Sequence, residues 1–181
     1  MIRPILTYGL ISGVVVIAGI IGTTIMTGMA GHQASMWLGY LIMLVALSSI
    51  LVGVKQHRDE TLGGVIRFWP AFGMGLGIAV VAAVAYVIIW EAYLAVTNYT
   101  FMDQMIQTTL AAERARGVTG EAYALKVEEM EGMRRMYANP LLRMPMTFAE
   151  IFPVGFLVSL VTAALVRNPR FLPARSRPVA A

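Results

Sequence analysis

Four long apolar runs constrain this chain more than any other feature. They cover residues 4–27, 35–54, 70–97 and 144–166, and their only charged side chains are Glu91 and Glu150. Each run meets the roughly 20 mostly apolar residues that a helix needs to cross the hydrocarbon of a bilayer. The expected fold is all-α, a bundle of four transmembrane helices whose first partner is the lipid bilayer. Composition agrees: the 181 residues are 58% hydrophobic and 13% charged, against about 25% charged in a soluble domain. The net charge of +4 does not imply a nucleic-acid partner, because the basic residues gather beside the apolar runs. Cysteine is absent, which excludes disulfides, thiolate metal sites and thiol catalysis.

Residues 98–143, between the third and fourth runs, have a different character, with six acidic and six basic side chains. Apolar positions recur there at helical spacing, first as Phe101, Met102, Met105, Ile106 and Leu110, then as Tyr123, Val127, Met130 and Tyr137. GVTG at 117–120 separates the two series as a turn, and Thr119 is placed to cap the second helix. NPLLRMP at 139–145 breaks that helix before the fourth run. The pattern predicts an extramembrane helical hairpin between helices three and four. The alternative is a third span continued as one long helix. Residues 1–167 then form one integral membrane domain, and 168–181 form a basic, proline-containing tail expected to be disordered.

Arginine and lysine set the orientation. Arg3, Lys55, Arg58, Arg67, Arg167, Arg170, Arg175 and Arg177 lie on the side of both termini, while on the other side the first connection, 29–34, has none and the hairpin has six, accompanied by equal acidic charge. The positive-inside rule places both termini in the cytoplasm and the hairpin outside, in the inner membrane of a bacterium. Residues 28–30 resemble the end of a signal peptide, but the apolar core before them is about 20 residues long, against 7–15 in a signal sequence. The first span is therefore expected to be retained.

The two intramembrane glutamates are the candidate polar or ion site. Glu91 lies near the outer end of span three and Glu150 near the outer end of span four. If those antiparallel spans pack together, the two carboxylates reach similar depth and share a polar pocket. Helical spacing offers Asn98 two turns beyond Glu91, with Thr147 one turn and Arg143 two turns before Glu150. Two readings stand. In one the pair holds a proton or a cation; in the other the glutamates are hydrogen-bonded glue between helices.

Other features carry less chemistry. Methionines crowd the hairpin, with Met130, Met133 and Met136 three apart, and thioethers select Cu(I). Filling of irregular helix contacts is the preferred reading, so no metal or cofactor is assigned. Gly9 with Gly13 and Gly73 with Gly77 have small-xxx-small spacing, which suits packing within the bundle first and homo-oligomerisation second. In KQHRDE, 55–60, His57 has no nucleophile beside it and reads as solvated, while Lys55 and Arg58, with Arg67, read as headgroup contacts. No catalytic constellation is recognised.

LTYGL, GVKQHRDETLGG, WEAY, MYANPL and TFAEIFPVG occur in an order and spacing that resemble a bacterial family of four-span membrane proteins of unknown function. The resemblance implies an inner-membrane protein and supplies no activity, cofactor or catalytic residue. Glu91, Tyr137, Asn139, Pro140 and Glu150 fall within its motifs. The leading expectation is a non-enzymatic interaction or accessory protein acting through its outward hairpin, toward a protein partner or a second copy. The alternative is a proton or cation carrier or sensor using Glu91 and Glu150, and a membrane-embedded enzyme ranks third.

Overall fold

The computed structural model describes residues 2–29 and 36–173. Most of the first connection, with His32, and the end of the tail, with Arg175 and Arg177, lie outside the described residues. Among the described residues the chain is all-helical, with seven elements: α1 (Ile2–Met29), α2 (Met36–Leu47), α3 (Ser49–Thr61), α4 (Phe68–Val96), α5 (Phe101–Ala115), α6 (Gly120–Ala138) and α7 (Pro140–Val166). Ser48 alone separates α2 from α3. It keeps helical dihedrals, and its N–H still reaches the Leu44 carbonyl at 3.0 Å, so the two form one span. Among the described residues four helical spans are long and apolar enough to cross a membrane: Ile2–Thr23, Trp37–Thr61, Phe68–Val96 and Pro140–Val166.

The second span outlasts its apolar run, which ends at Val54. KQHRDET keeps the helix going because its side chains pair one turn apart: Lys55 Nζ lies 2.5 Å from Asp59 Oδ2, and Gln56 donates to Glu60. The helix stops where Gly63 takes a φ of +65°, which lets the Gly64 N–H turn back to the Arg58 carbonyl at 2.9 Å. The connection to α4 is therefore only 62–67.

The chain divides into two compact units. The first joins residues up to Tyr86 with those from Ala149 onward. Val16 of α1, Leu47 and Ile50 of α2 and α3, Ile78 of α4, and Ile151 and Ala163 of α7 form its buried centre. Glycine makes this closeness attainable. A Cβ on Gly13 would lie 2.8 Å from the Ala82 carbonyl, and one on Gly9 would lie 2.6 Å from Val81, so α1 rests on the backbone of α4. That uses the first small-xxx-small pair inside the unit, whereas Gly73 of the second faces open space. Ser12 bonds Ser49, and Tyr8 bonds Gln56, tying α1 to α3. The outer faces carry Leu10, Val14, Leu41, Val45, Val52, Leu157 and Val161, all exposed, as helices bathed in lipid require.

The second unit is Val87–Phe148. Here α4 stops at Val96, and residues 97–100 form a turn in which Asn98 and Tyr99 both take positive φ, 51° and 56°. The Tyr99 N–H closes the helix on the Leu94 carbonyl at 2.8 Å. The third span therefore does not continue into α5. Helices α5 and α6 run antiparallel around Met102, Ile106 and Met130, with Met105, Leu110, Met133 and Tyr137 packed against them. Arg134 pairs with Asp103 at 3.0 Å at one end, and Arg114 lies 4.7 Å from the Tyr123 ring at the other. Thr119 takes the extended N-cap conformation but its hydroxyl makes no capping bond.

Candidate functional site

Asn139 sets the local geometry of the candidate site in the second unit. Its extended backbone ends α6, and its side-chain oxygen accepts from the Leu141 N–H at 3.0 Å. Pro140 then opens α7, where a missing N–H costs nothing. The chain thus breaks at one residue, not across the whole 139–145 segment, and Arg143 falls in the first turn of α7.

Arg143 projects onto Glu91 of α4. Its Nε and Nη2 donate to the two Glu91 oxygens at 2.7 and 2.6 Å, a bidentate pair. Its Nη1 donates at 2.9 Å to the Tyr137 carbonyl, which the end of α6 leaves without a helical partner. The guanidinium lies 5.2 Å from the Tyr99 ring and 5.6 Å from the Tyr137 ring, within range of cation–π attraction. Trp90 donates from Nε1 to the Tyr137 hydroxyl at 2.7 Å. One buried cation therefore joins α4, the 97–100 turn, the end of α6 and the start of α7. The side chains of Arg143 and Glu91 are 4% and 17% exposed. Each of the three guanidinium nitrogens donates one of these bonds, which offsets the cost of burying the pair.

Glu150 belongs to the first unit and has another kind of environment. Tyr86, itself buried, donates from its hydroxyl to Glu150 Oε2 at 3.3 Å. The residue is otherwise exposed at the protein surface. It lies about 15 Å along α7 from Pro140 at 1.5 Å per residue, well inside an apolar stretch.

The five sequence-predicted site residues are thus distributed rather than gathered. Glu91 and Arg143 form the pair. Thr147 is buried, but its hydroxyl returns to the Arg143 carbonyl at 3.0 Å on its own helix. Asn98 leaves the helical face of Glu91 because α4 has already ended, and it is exposed. Arg143 meets Glu91 instead of the Glu150 two turns along its own helix. The register around the hairpin barely separated the two: Glu91 precedes Gly117 by 26 residues, and Arg143 follows Gly120 by 23, against 30 for Glu150.

A second buried arginine escaped the sequence reading. Arg58, expected among lipid headgroups, is 0% exposed. It donates to the carbonyls of Phe171 at 3.0 Å and Leu172 at 2.5 Å, more distantly to Val166, and to Asp59 Oδ1 at 2.6 Å. The carbonyls that α7 and the following turn leave open find their donors there. His57, expected in solvent, is 6% exposed. Both continue the buried stripe of Leu47, Ile50 and Val54 at helical spacing. The hairpin methionines Met102, Met105, Met130 and Met133 fill its core.

No curated protein and no solved structure matches the chain. Residues 7–168 match the family described as protein of unknown function (DUF4199), and the chain belongs to that family.

Proposed function

We propose that the chain is a multi-pass protein of the bacterial inner membrane, with both termini cytoplasmic, acting as a non-enzymatic interaction or accessory protein through an outward hairpin. The observation that carries this reading is the construction of the second unit. Its hairpin has a core of its own, and the Glu91–Arg143 pair binds the hairpin base to the ends of α4 and α7. Rigid presentation of a surface is what such an anchor provides. That surface offers Leu125 and Met136, 61% and 48% exposed, among charges, an amphipathic face suited to a protein partner or a second copy.

Two measurements test it. The chain has no cysteine, so Thr119→Cys and Arg170→Cys report orientation cleanly with a membrane-impermeant maleimide. Labelling of the first on intact cells, and of the second only after permeabilisation, is expected; the reverse pattern inverts the topology. Leu125→Glu combined with Met136→Glu is expected to release a stoichiometric partner or reduce the oligomer mass in detergent. A wild-type protein that is monomeric and purifies alone sinks the interaction reading.

A second reading, proton or cation carriage, rests on Glu150. Both Glu91 oxygens are occupied by Arg143, whereas Glu150 keeps one oxygen open inside an apolar span. Loss of proton or cation binding in Glu150→Gln, with Glu91→Gln unaffected, favours it.

A further inference from the structure

The start of α1 and the end of α3 enclose an open cleft of 910 Å³. Its polar wall is formed by Arg3, Thr7, Tyr8, Gln56, His57 and Glu60. His57 is the informative member. It is 6% exposed, and among the described residues nothing hydrogen-bonds its ring. Yet no buried side-chain nitrogen or oxygen among those residues lacks a partner. The small surface His57 retains therefore includes its ring nitrogens, and the space it lines is this cleft.

The charges around it are unmatched. Arg3 and Glu60 both line the cleft, and neither joins an ion pair with a described residue. Glu60 is nevertheless positioned. Gln56 donates from Nε2 to its two oxygens at 3.0 and 3.1 Å, and Tyr8 in turn donates to the Gln56 oxygen. A guanidinium, a held carboxylate and an open imidazole in one cleft complement a zwitterion better than a simple anion or cation. Position narrows the class further. The cleft lies at the outermost turns of the spans Ile2–Thr23 and Trp37–Thr61, with Ile2 and Pro4 on its wall. Those turns are where a span leaves the hydrocarbon and meets headgroups.

We propose that this cleft binds the headgroup of a zwitterionic phospholipid bearing a primary amine, of the phosphatidylethanolamine type. Arg3 and His57 take the phosphodiester, a charge-assisted contact. Glu60 accepts from the ammonium, whose three N–H donors a trimethylated headgroup lacks. The site is distinct from the hairpin and does not depend on the role proposed for it.

Native mass spectrometry of the full chain in mild detergent tests the site, with phosphatidylethanolamine, phosphatidylcholine and phosphatidylglycerol of equal acyl chains titrated in turn. The ethanolamine lipid is expected to bind saturably and tightest. His57→Ala and Arg3→Ala are expected to weaken it about tenfold, the scale of one lost hydrogen bond to a charged group. Glu60→Gln is expected to abolish the preference for ethanolamine over choline while phosphate binding survives. Inorganic phosphate at millimolar concentration should not compete; full competition assigns the cleft to free phosphate and overturns the lipid reading. Equal retention of all three lipids by wild type overturns the proposal, as does unchanged binding in all three variants. Should His57→Ala fail to fold, the wild-type preference between headgroups decides the matter alone.

Discussion

Glu91 and Glu150 are the same residue type in similar apolar helices, and the protein treats them in opposite ways. Glu91 is held by two short bonds from an arginine whose third nitrogen is held by a carbonyl. Glu150 has one longer bond, from a neutral tyrosine, and is exposed at the surface. A carboxylate placed at mid-span costs about 2.5–3.5 kcal/mol on insertion scales, and less toward an interface. At Glu91 that cost is offset by a counterion supplied from another helix, and the result is a joint. At Glu150 no described side chain offsets it to the same degree. Position within a hydrophobic run therefore does not tell a structural glutamate from one kept for other reasons; the partner does.

The contrast predicts a large effect at the joint. Arg143→Met removes the guanidinium but keeps a flexible apolar stem in its place. It leaves a Glu91 side chain only 17% exposed without a counterion, and removal of one member of a buried pair costs about 3–5 kcal/mol. The Tyr137 carbonyl loses its donor as well. Denaturant or thermal unfolding in detergent, read by circular dichroism and by Trp90 fluorescence in a Trp37→Phe, Trp69→Phe background, is expected to show the second unit loosened. Adding Glu91→Leu should recover much of the loss, since an apolar pair of similar volume replaces a buried ion pair at little cost. If Arg143→Met is as stable as wild type, the pair holds nothing and the distinction between the glutamates disappears.

Much of this fold was legible from hydropathy and turn chemistry alone. A run of 20 apolar residues has one economical use in a bilayer, and glycines at 117 and 120 mark a turn on any reading. The hairpin core was likewise written in the spacing of Met102, Ile106 and Met130. What stayed hidden was pairing between helices. Spacing along one helix gave Arg143 to Glu150, its neighbour two turns on, because sequence distance is all that a helical wheel sees. The Arg143–Glu91 bond spans a hairpin, and the count of residues on its two arms barely favours it. Arg58 and His57 were misplaced for another reason. Their charge suggested water, while their phase, following Leu47, Ile50 and Val54, continued the buried face. Where charge and phase conflict at the end of a span, an arginine with open helix carbonyls in reach is drawn inward. Asn98 failed more simply, since a projected helical face ends where the helix does.

A smaller effect separates the two carboxylates directly. Glu91→Gln keeps the shape but replaces two charge-assisted bonds with one neutral acceptor and leaves Arg143 buried without its counterion. The expected loss is roughly 2–3 kcal/mol. Glu150→Gln keeps an acceptor for Tyr86 and disturbs no counterion, so its change is expected to stay within about 1 kcal/mol. Melting of the two variants side by side in one detergent measures the difference. Equal losses would mean that Glu150 is as structural as Glu91.

The smallest expected effect is at Tyr86, and it bears most closely on Glu150. Tyr86→Phe preserves the ring in its buried place and removes only the hydroxyl that reaches Glu150 Oε2 at 3.3 Å. A neutral hydrogen bond at that length contributes about 0.5–1 kcal/mol at most. A double-mutant cycle of Tyr86→Phe with Glu150→Leu, which removes the acceptor that glutamine would keep, isolates the term. Coupling of about 0.5 kcal/mol is expected, the low end of the range for two residues that share a hydrogen bond. Coupling well above that would make Tyr86 and Glu150 a second joint, built like the first but without charge, and the open oxygen of Glu150 would no longer mark a site. A small coupling leaves Glu150 held by little, in a span where a carboxylate is costly, and that imbalance is the reason to look for what it binds.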